Sequence, residues 1–513
     1  MMIAVPIIII ILLITTSSWI EPVLFLLTIG ISVVINMGTN IFFKDISFIT
    51  QAISPILQLA VSLDYAIFLL GSFERFKKET DDINEAMALA IKRSTPTILA
   101  SASTTLFGFV ALLFMRFRIG ADLGIILVKG IALSFICVIV FLPALTLLSY
   151  KLIDKTRHKI IIPQFKNIGK HTIKLKLIVL ILVTLLIFPA FQAQKKNIFL
   201  YGLGSELSDS IRSGKDTRKI NDEFGNSTPI VLLVPKGNLS HEKDLAALLE
   251  QERNVTSVIS YSSMVDNAIP IDFLDDSIIN QFYSENYSRI IINTNTTSEG
   301  PEAFKLVERV NSLTNTYYGD DFYSLGISVN LYDIKTVVEK DTPVINTIAI
   351  ISIALILLIT FKSLILPILL ILTIETSIWI NLSIPYFTGT PLCYIGYLVI
   401  STVQLGATVD YAILLTDHYL HNRKTQPKKE AIITTLSESA NSIFVSGFIL
   451  ASAGFSLGFI SSDQIISELG ILLGRGTLLS MTLVILFLPA TLVLFDKLIF
   501  KTRINKNKEV NHV

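Results

Sequence analysis

Gln58-Leu59-Ala60-Val61-Ser62-Leu63-Asp64-Tyr65-Ala66-Ile67 returns 346 residues later as Gln404-Leu405-Gly406-Ala407-Thr408-Val409-Asp410-Tyr411-Ala412-Ile413. Each copy places one acid, Asp64 or Asp410, in a run otherwise suited to lipid. Other pairs keep nearly the same spacing. Phe141-Leu142-Pro143-Ala144 returns as Phe487-Leu488-Pro489-Ala490, Gly108-Phe109 as Gly454-Phe455, and Lys129-Gly130 as Arg475-Gly476. Leu12-Leu13-Ile14-Thr15 matches Leu357-Leu358-Ile359-Thr360 at an offset of 345. One such match is weak, but many at a near-constant offset mark an internal duplication.

Around these segments the chain reads as membrane-spanning. It has 513 residues, 51% of them hydrophobic and 16% charged, with a net charge of +1 and a mean hydropathy of +0.64. Soluble domains carry roughly 25% charged residues, and a net charge near zero gives no basic field for nucleic acid. A bilayer core needs about 20 apolar residues as helix. Such runs lie near 3–16, 20–42, 48–72, 96–117 and 124–150, then alone near 174–194. A second group follows near 345–361, 364–386, 393–417, 441–461 and 468–496. The expected fold is a polytopic all-α transmembrane bundle of about 11 helices, built as a direct five-helix repeat. Its two copies face each other about an axis along the membrane normal, as in parallel-repeat transporters.

Residues 197–343 differ in character and read as one α/β domain outside the membrane. Strand-like runs at 230–234, 255–261, 287–293 and 322–329 alternate with helical patterns at 241–253, 270–285 and 301–317. This βαβ–βαβ order predicts a ferredoxin-like unit. The expected organisation is thus a first transmembrane repeat over 1–156 and a linker with the lone span over 157–196. The outer domain over 197–343, a second repeat over 344–502 and a basic tail over 503–513 follow. Lysines 151, 155, 159, 166 and 170, Arg423 with Lys424, and Lys501 with Lys506 crowd three loops. The positive-inside rule makes those loops cytoplasmic and puts 197–343 outside; Arg116 and Arg118, in an outer loop, run against it.

Ionisable groups in membrane spans are costly and usually mark ion or proton pathways. Two at equivalent positions make Asp64 and Asp410 the candidates for binding and releasing a proton. Neighbours on a helix diverge by about 100°, so an axis between the copies can set Asp64 against Tyr411 and Asp410 against Tyr65. Gln58, Ser62, Gln404 and Thr408 could extend this path, the glutamines equally as packing contacts. Glu375 is a third intramembrane acid whose counterpart is Gly30; an interhelical or cavity-facing hydrogen bond suits it better than a place in the relay core. Ser101, Thr105, Ser442 and Ser446 read as helix-packing contacts. His418 and His421 are spaced like zinc ligands but fall where a span meets a basic loop, and are read as solvated; no metal site is expected. Cys137 and Cys393 give no disulfide or metal framework.

The paired Asp-Tyr segments, the Gly-Phe spans and the Phe-Leu-Pro-Ala spans resemble those of MMPL transporters, a family of the resistance–nodulation–division (RND) superfamily. The likeness covers nearly the whole chain. It implies export of lipids or other hydrophobic compounds across the cell membrane by a multi-pass protein driven by the proton gradient, without a cofactor. It implies porter domains outside the membrane, and carries the proton relay onto Asp64, Tyr65, Asp410 and Tyr411. The second relay span has no lysine, unlike the drug-efflux branch of the superfamily.

Members of the family have twelve spans and two porter domains. Ala4 corresponds to Ala349 at the offset of 345, so the chain starts where a second span is expected. The expected partners are therefore the bilayer, a hydrophobic or lipid substrate, and a separate polypeptide supplying a first span and porter domain; a homo-oligomer is open. Two other classes remain: a SecDF-like or sterol-sensing-like accessory protein, and an inactive truncated half of a split transporter. Nothing in 197–343 forms a nucleophile–base set, so an enzyme is not expected.

Overall fold

In the computed structural model the described residues are 4–43, 45–158, 168–202, 212–265 and 275–503. They divide into two compact units, one formed by residues up to Phe199 and from Asp341 onward, the other by Leu200–Lys340.

The first unit is a helical bundle. Its helices are α1 (Ala4–Thr15), α2 (Glu21–Gly38), α3 (Phe48–Phe76), α4 (Ile83–Val110), α5 (Arg118–Ile136), α6 (Leu142–Lys155) and α7 (Ile168–Gln194). Among the described residues ten helices are long and apolar enough to cross a membrane. The expected span at 3–16 is described as only the 12 residues of α1, about 18 Å of helix and short of a full crossing. Helices α5 and α6 form one rod through a π-helical turn at Cys137–Phe141. Pro143 has no N–H to give the preceding turn, and the π turn absorbs that loss.

Two spans begin well before their apolar runs. Helix α4 starts at Ile83 rather than near 96, because Asp82 caps it by accepting from Asn84 N at 2.9 Å and the polar turns that follow still favour helix. Its counterpart α16 likewise starts at Lys428 rather than near 441. Hydropathy finds the part of a helix in lipid and misses the turns beyond it.

In the second unit α8 (Arg212–Phe224) precedes an antiparallel sheet with the spatial order 255–259, 287–294, 228–235, 323–325. Helix α9 (Leu239–Glu250) joins the first two strands in sequence and α12 (Pro301–Tyr318) the last two. The short helices α10 (Tyr261–Met264) and α11 (Asp276–Phe282) lie between the pairs. Alternation fixes the register: Ile230 pairs with Ile292 and Leu232 with Ile290, and these side chains are buried with Leu245, Leu249, Val307 and Val310. Part of the helix expected at 270–285 lies outside the described residues. The strand expected at 322–329 is Tyr323–Leu325 only, because residues 327 onward start α13 (Ile327–Phe361).

From Asp341, α13 belongs to the first unit, followed by α14 (Ile365–Thr388), α15 (Tyr394–Asn422), α16 (Lys428–Ile460) and α17 (Gln464–Lys501). Helices α3 and α15 are almost wholly enclosed by protein. Helix α7 exposes Leu177, Ile178, Leu182, Leu185 and Phe188. An apolar surface of that extent suits lipid rather than water.

Candidate functional site

Helices α3 and α15 carry the two acids into the bundle. Asp64 on α3 is half-buried and Asp410 on α15 is buried, and the two lie within electrostatic reach of each other. Helix α4 passes close to α15: a methyl group on Gly108 would lie 3.1 Å from Gly406 Cα. Small residues permit such approaches between membrane helices. The crossing brings the α4 hydroxyls of Ser101, Thr104 and Thr105 around Asp410, with Thr104 Oγ1 3.4 Å from Oδ1. From the other copy, Ser446 on α16 donates to Asp64. Each acid is therefore met by a hydroxyl from the opposite half, and Asp64 Oδ1 and Asp410 Oδ2 have no partner among the described residues.

The tyrosines are fully enclosed. Tyr65 OH donates to Thr105 Oγ1 at 3.5 Å, so Thr105 stands between Tyr65 and Asp410. Tyr411 lies within electrostatic reach of Asp64, and its hydroxyl has no partner among the described residues. The crossed placement of Asp and Tyr is thus present without a direct hydrogen bond across either pair. Ser101, Thr105 and Ser446, read above as packing contacts, face the acids instead, and Ser442 has no such contact among the described residues. A cluster of small hydroxyls on the helix after each Asp-Tyr span was the available signal, and periodicity alone does not separate it from packing.

The remaining candidates stand apart. Gln58 Nε2 donates to Ser32 Oγ at 3.2 Å, Gly130 O at 3.0 Å and Ser134 Oγ at 3.1 Å, while Oε1 accepts from Asn36 Nδ2 at 2.8 Å. Gln404 repeats this with Ser377 at 3.0 Å, Gly476 O at 3.0 Å, Ser480 at 3.1 Å and Asn381 Nδ2 at 3.1 Å. Every polar group of each amide is satisfied, which suits a fixed junction of three helices rather than a mobile proton carrier. Thr408 donates to Gln404 O at 2.7 Å and lies 3.1 Å from Ser480 Oγ, and Ser62 Oγ is buried without a partner among the described residues. Glu375 is bonded by Trp379 and, among the described residues, has no hydrogen bond to Asp64, Tyr65, Asp410 or Tyr411.

Sequence reading also passed over the cations of this junction. Lys129 Nζ donates to Asn36 O at 2.9 Å and Asn40 Oδ1 at 2.6 Å. Arg475 donates to Asn381 Oδ1 at 2.7 Å and Asn381 O at 3.0 Å. Their equivalence was visible as a repeated Lys/Arg-Gly pair, but their partners lie on another helix.

Residues 1–187 and 207–510 match the family model described as the MMPL family. The chain is 26% identical to the apo-petrobactin exporter of Bacillus anthracis, over 96% of this chain and 69% of that protein. It is 23% identical to a putative membrane protein of Streptomyces coelicolor, over 85% of this chain and 52% of that one. Over 27% of this chain and 13% of the relative, it is 29% identical to the sulfolipid-1 exporter MmpL8 of Mycobacterium tuberculosis.

Proposed function

Because the chain belongs to the MMPL family, we propose that this multi-pass membrane protein of the cell membrane is an exporter of lipids or other hydrophobic compounds driven by the proton gradient. The observation that carries the reading is the pair Asp64 and Asp410, set against each other between the two halves and each met by a hydroxyl from the opposite half. An ionised carboxylate within a membrane costs a few kcal/mol on insertion scales, so a proton arriving at or leaving either acid changes the local energy considerably. Ser446 and the Ser101–Thr105 group belong to helices of the opposite half. The protonation state at each acid therefore acts on the interface between halves, the element that must move for access to alternate. Tyr65 and Tyr411 complete the relay.

Two further readings go with this one. The shared Gln–Asn–Ser–Gly junctions support treating α2–α6 and α14–α17, with their preceding helices, as two copies of one unit. The strand order of residues 200–340 supports a ferredoxin-like porter domain, and the basic loops at 151–157 and 423–429 support its lying outside the cell. A relative named for sulfolipid-1 export supports a lipid cargo, and one named for apo-petrobactin export supports export itself.

Everted membrane vesicles given a lipophilic fluorescent probe in the outer bath test the reading. An imposed proton gradient should drive probe movement that a protonophore and Asp410→Asn both abolish. Movement indifferent to both would exclude proton coupling.

A further inference from the structure

Next to the acids, helices α3 and α15 each show an accessible stripe on the side that leads to their Phe76 and Asn422 ends. On α15 it runs through Leu414, Asp417, His418 and His421; on α3 it runs through Phe68, Gly71 and Arg75. These positions follow the acids at four, seven, eight and eleven residues, one face of a helix. On the other side of the acids residues 53–63 and 398–409 are buried, and α3 is exposed again only in its first turns, at Phe48, Gln51 and Ala52. The two helices pack chiefly against α4, α16 and their own neighbours. The stripes nonetheless lie near each other at both ends, since Asp64 is within electrostatic reach of Asp410 and Arg75 of His418. At Gly71 an added methyl group would meet nothing within 4 Å.

Buried polar atoms flank the same stretch. Ser94 lies two turns from Ser101 on the face of α4 that meets α15. Its hydroxyl is fully buried without a partner among the described residues, as is that of Thr416 on α15. Buried hydroxyls in proteins are normally bonded, to ordered water where no side chain serves. At the outer end of the stripe, His418 Nδ1 lies 3.8 Å from Glu438 Oε2 of α16. Asp417 and His421 from its own helix and Arg75 from α3 are the other charged or titratable groups acting on it. His418 is about 12 Å along the helix from Asp410, a span that water molecules must bridge.

We propose that the stripes of α3 and α15 line a water-filled vestibule that opens at the Phe76 and Asn422 ends and closes at Asp64 and Asp410, with His418 passing protons between it and the bulk. The opening is set by geometry alone; the role of His418 rests on the proton-coupled reading above. A proton leaving a relay carboxyl reaches the imidazole through water, and the imidazolium returns it to bulk water at the mouth, so no other reactant is needed. The basic loops place that mouth in the cytoplasm.

Two measurements test this. In a chain with Cys137→Ala and Cys393→Ala, cysteines placed by Leu414→Cys and Gly71→Cys should react with a charged, impermeant methanethiosulfonate from the cytoplasmic side. Leu398→Cys, enclosed on the other side of the acid, should not. Protection of 414 and 71 while His421→Cys reacts would overturn the vestibule. In proteoliposomes with a pH dye inside, His418→Gln should slow gradient-driven proton entry roughly tenfold or more, and added imidazole should restore it. Wild-type flux in His418→Gln, alongside none in Asp410→Asn, would overturn the role of His418. Equal flux in wild type and Asp410→Asn would instead reject proton coupling, and the labelling would still decide the vestibule.

Discussion

Replacing Gly476 by alanine strikes the junction that ties α14, α15 and α17. The new methyl group would overlap Gln404 Oε1 and stand 2.5 Å from Asn381 Nδ2, so the amide has to leave its place. Four hydrogen bonds between 3.0 and 3.1 Å go with it. Interhelical hydrogen bonds in membranes average about 0.6 kcal/mol, which puts the loss at roughly 2–3 kcal/mol. Overpacking adds about 1–3 kcal/mol, so Gly476→Ala should destabilise the protein by about 3–6 kcal/mol. Thermal unfolding of purified protein in detergent, at one fixed scan rate, should show a midpoint several degrees lower. Gly30→Ala is the control, since nothing lies within 4 Å of its added methyl group. Gln404→Ala removes the group that the methyl strikes hardest and leaves only the contact with Asn381 Nδ2, so the double variant should be far closer in stability to Gln404→Ala alone than additive losses would put it. A wild-type midpoint for Gly476→Ala, or fully additive losses in the double variant, would refute the reasoning.

Gly130→Ala should act in the same direction but less, because its methyl group would lie 2.7 Å from Asn36 Nδ2 and 2.8 Å from Gln58 Oε1; the same unfolding measurement compares them. Ser446→Ala removes the hydroxyl that donates to Asp64 and should lower proton-driven probe movement while costing at most about 1 kcal/mol of stability. Asp496→Ala should be far more damaging to stability, by about 3–5 kcal/mol. It strips a buried carboxylate that accepts from Tyr419 OH at 2.6 Å and Arg423 Nε at 3.1 Å. For sidedness, Asp275→Cys should react with an impermeant thiol reagent in intact cells and Lys151→Cys only after permeabilisation; the opposite pattern would invert the topology.

Much of the bundle was readable because lipid imposes its own rule: apolar runs of sufficient length gave the ten long helices. What hydropathy did not give is where those helices extend into water. The polar turns at 83–95 and 428–440 are helical for reasons of capping and propensity that carry no membrane signal. The acids and their tyrosines stood out because charge is rare inside a span and recurred at one offset. Their hydroxyl partners did not, since Ser and Thr are common at helix contacts and only the close passage of Gly108 and Gly406 sets Thr105 beside Asp410. Gln58 and Gln404 were noticed as repeated residues. That they are saturated by Asn36 and Asn381 depends on which helices meet, and no spacing along the chain states that.

The most direct measurement is proton entry into proteoliposomes under an imposed gradient, recorded with an internal pH dye for the wild type, Asp64→Asn and Asp410→Asn. Asn keeps the size and hydrogen-bonding capacity of each acid but cannot cycle a proton. The account predicts gradient-driven entry in the wild type and none in either variant, with all three inserted and folded alike. Wild-type entry in both single variants would contradict it.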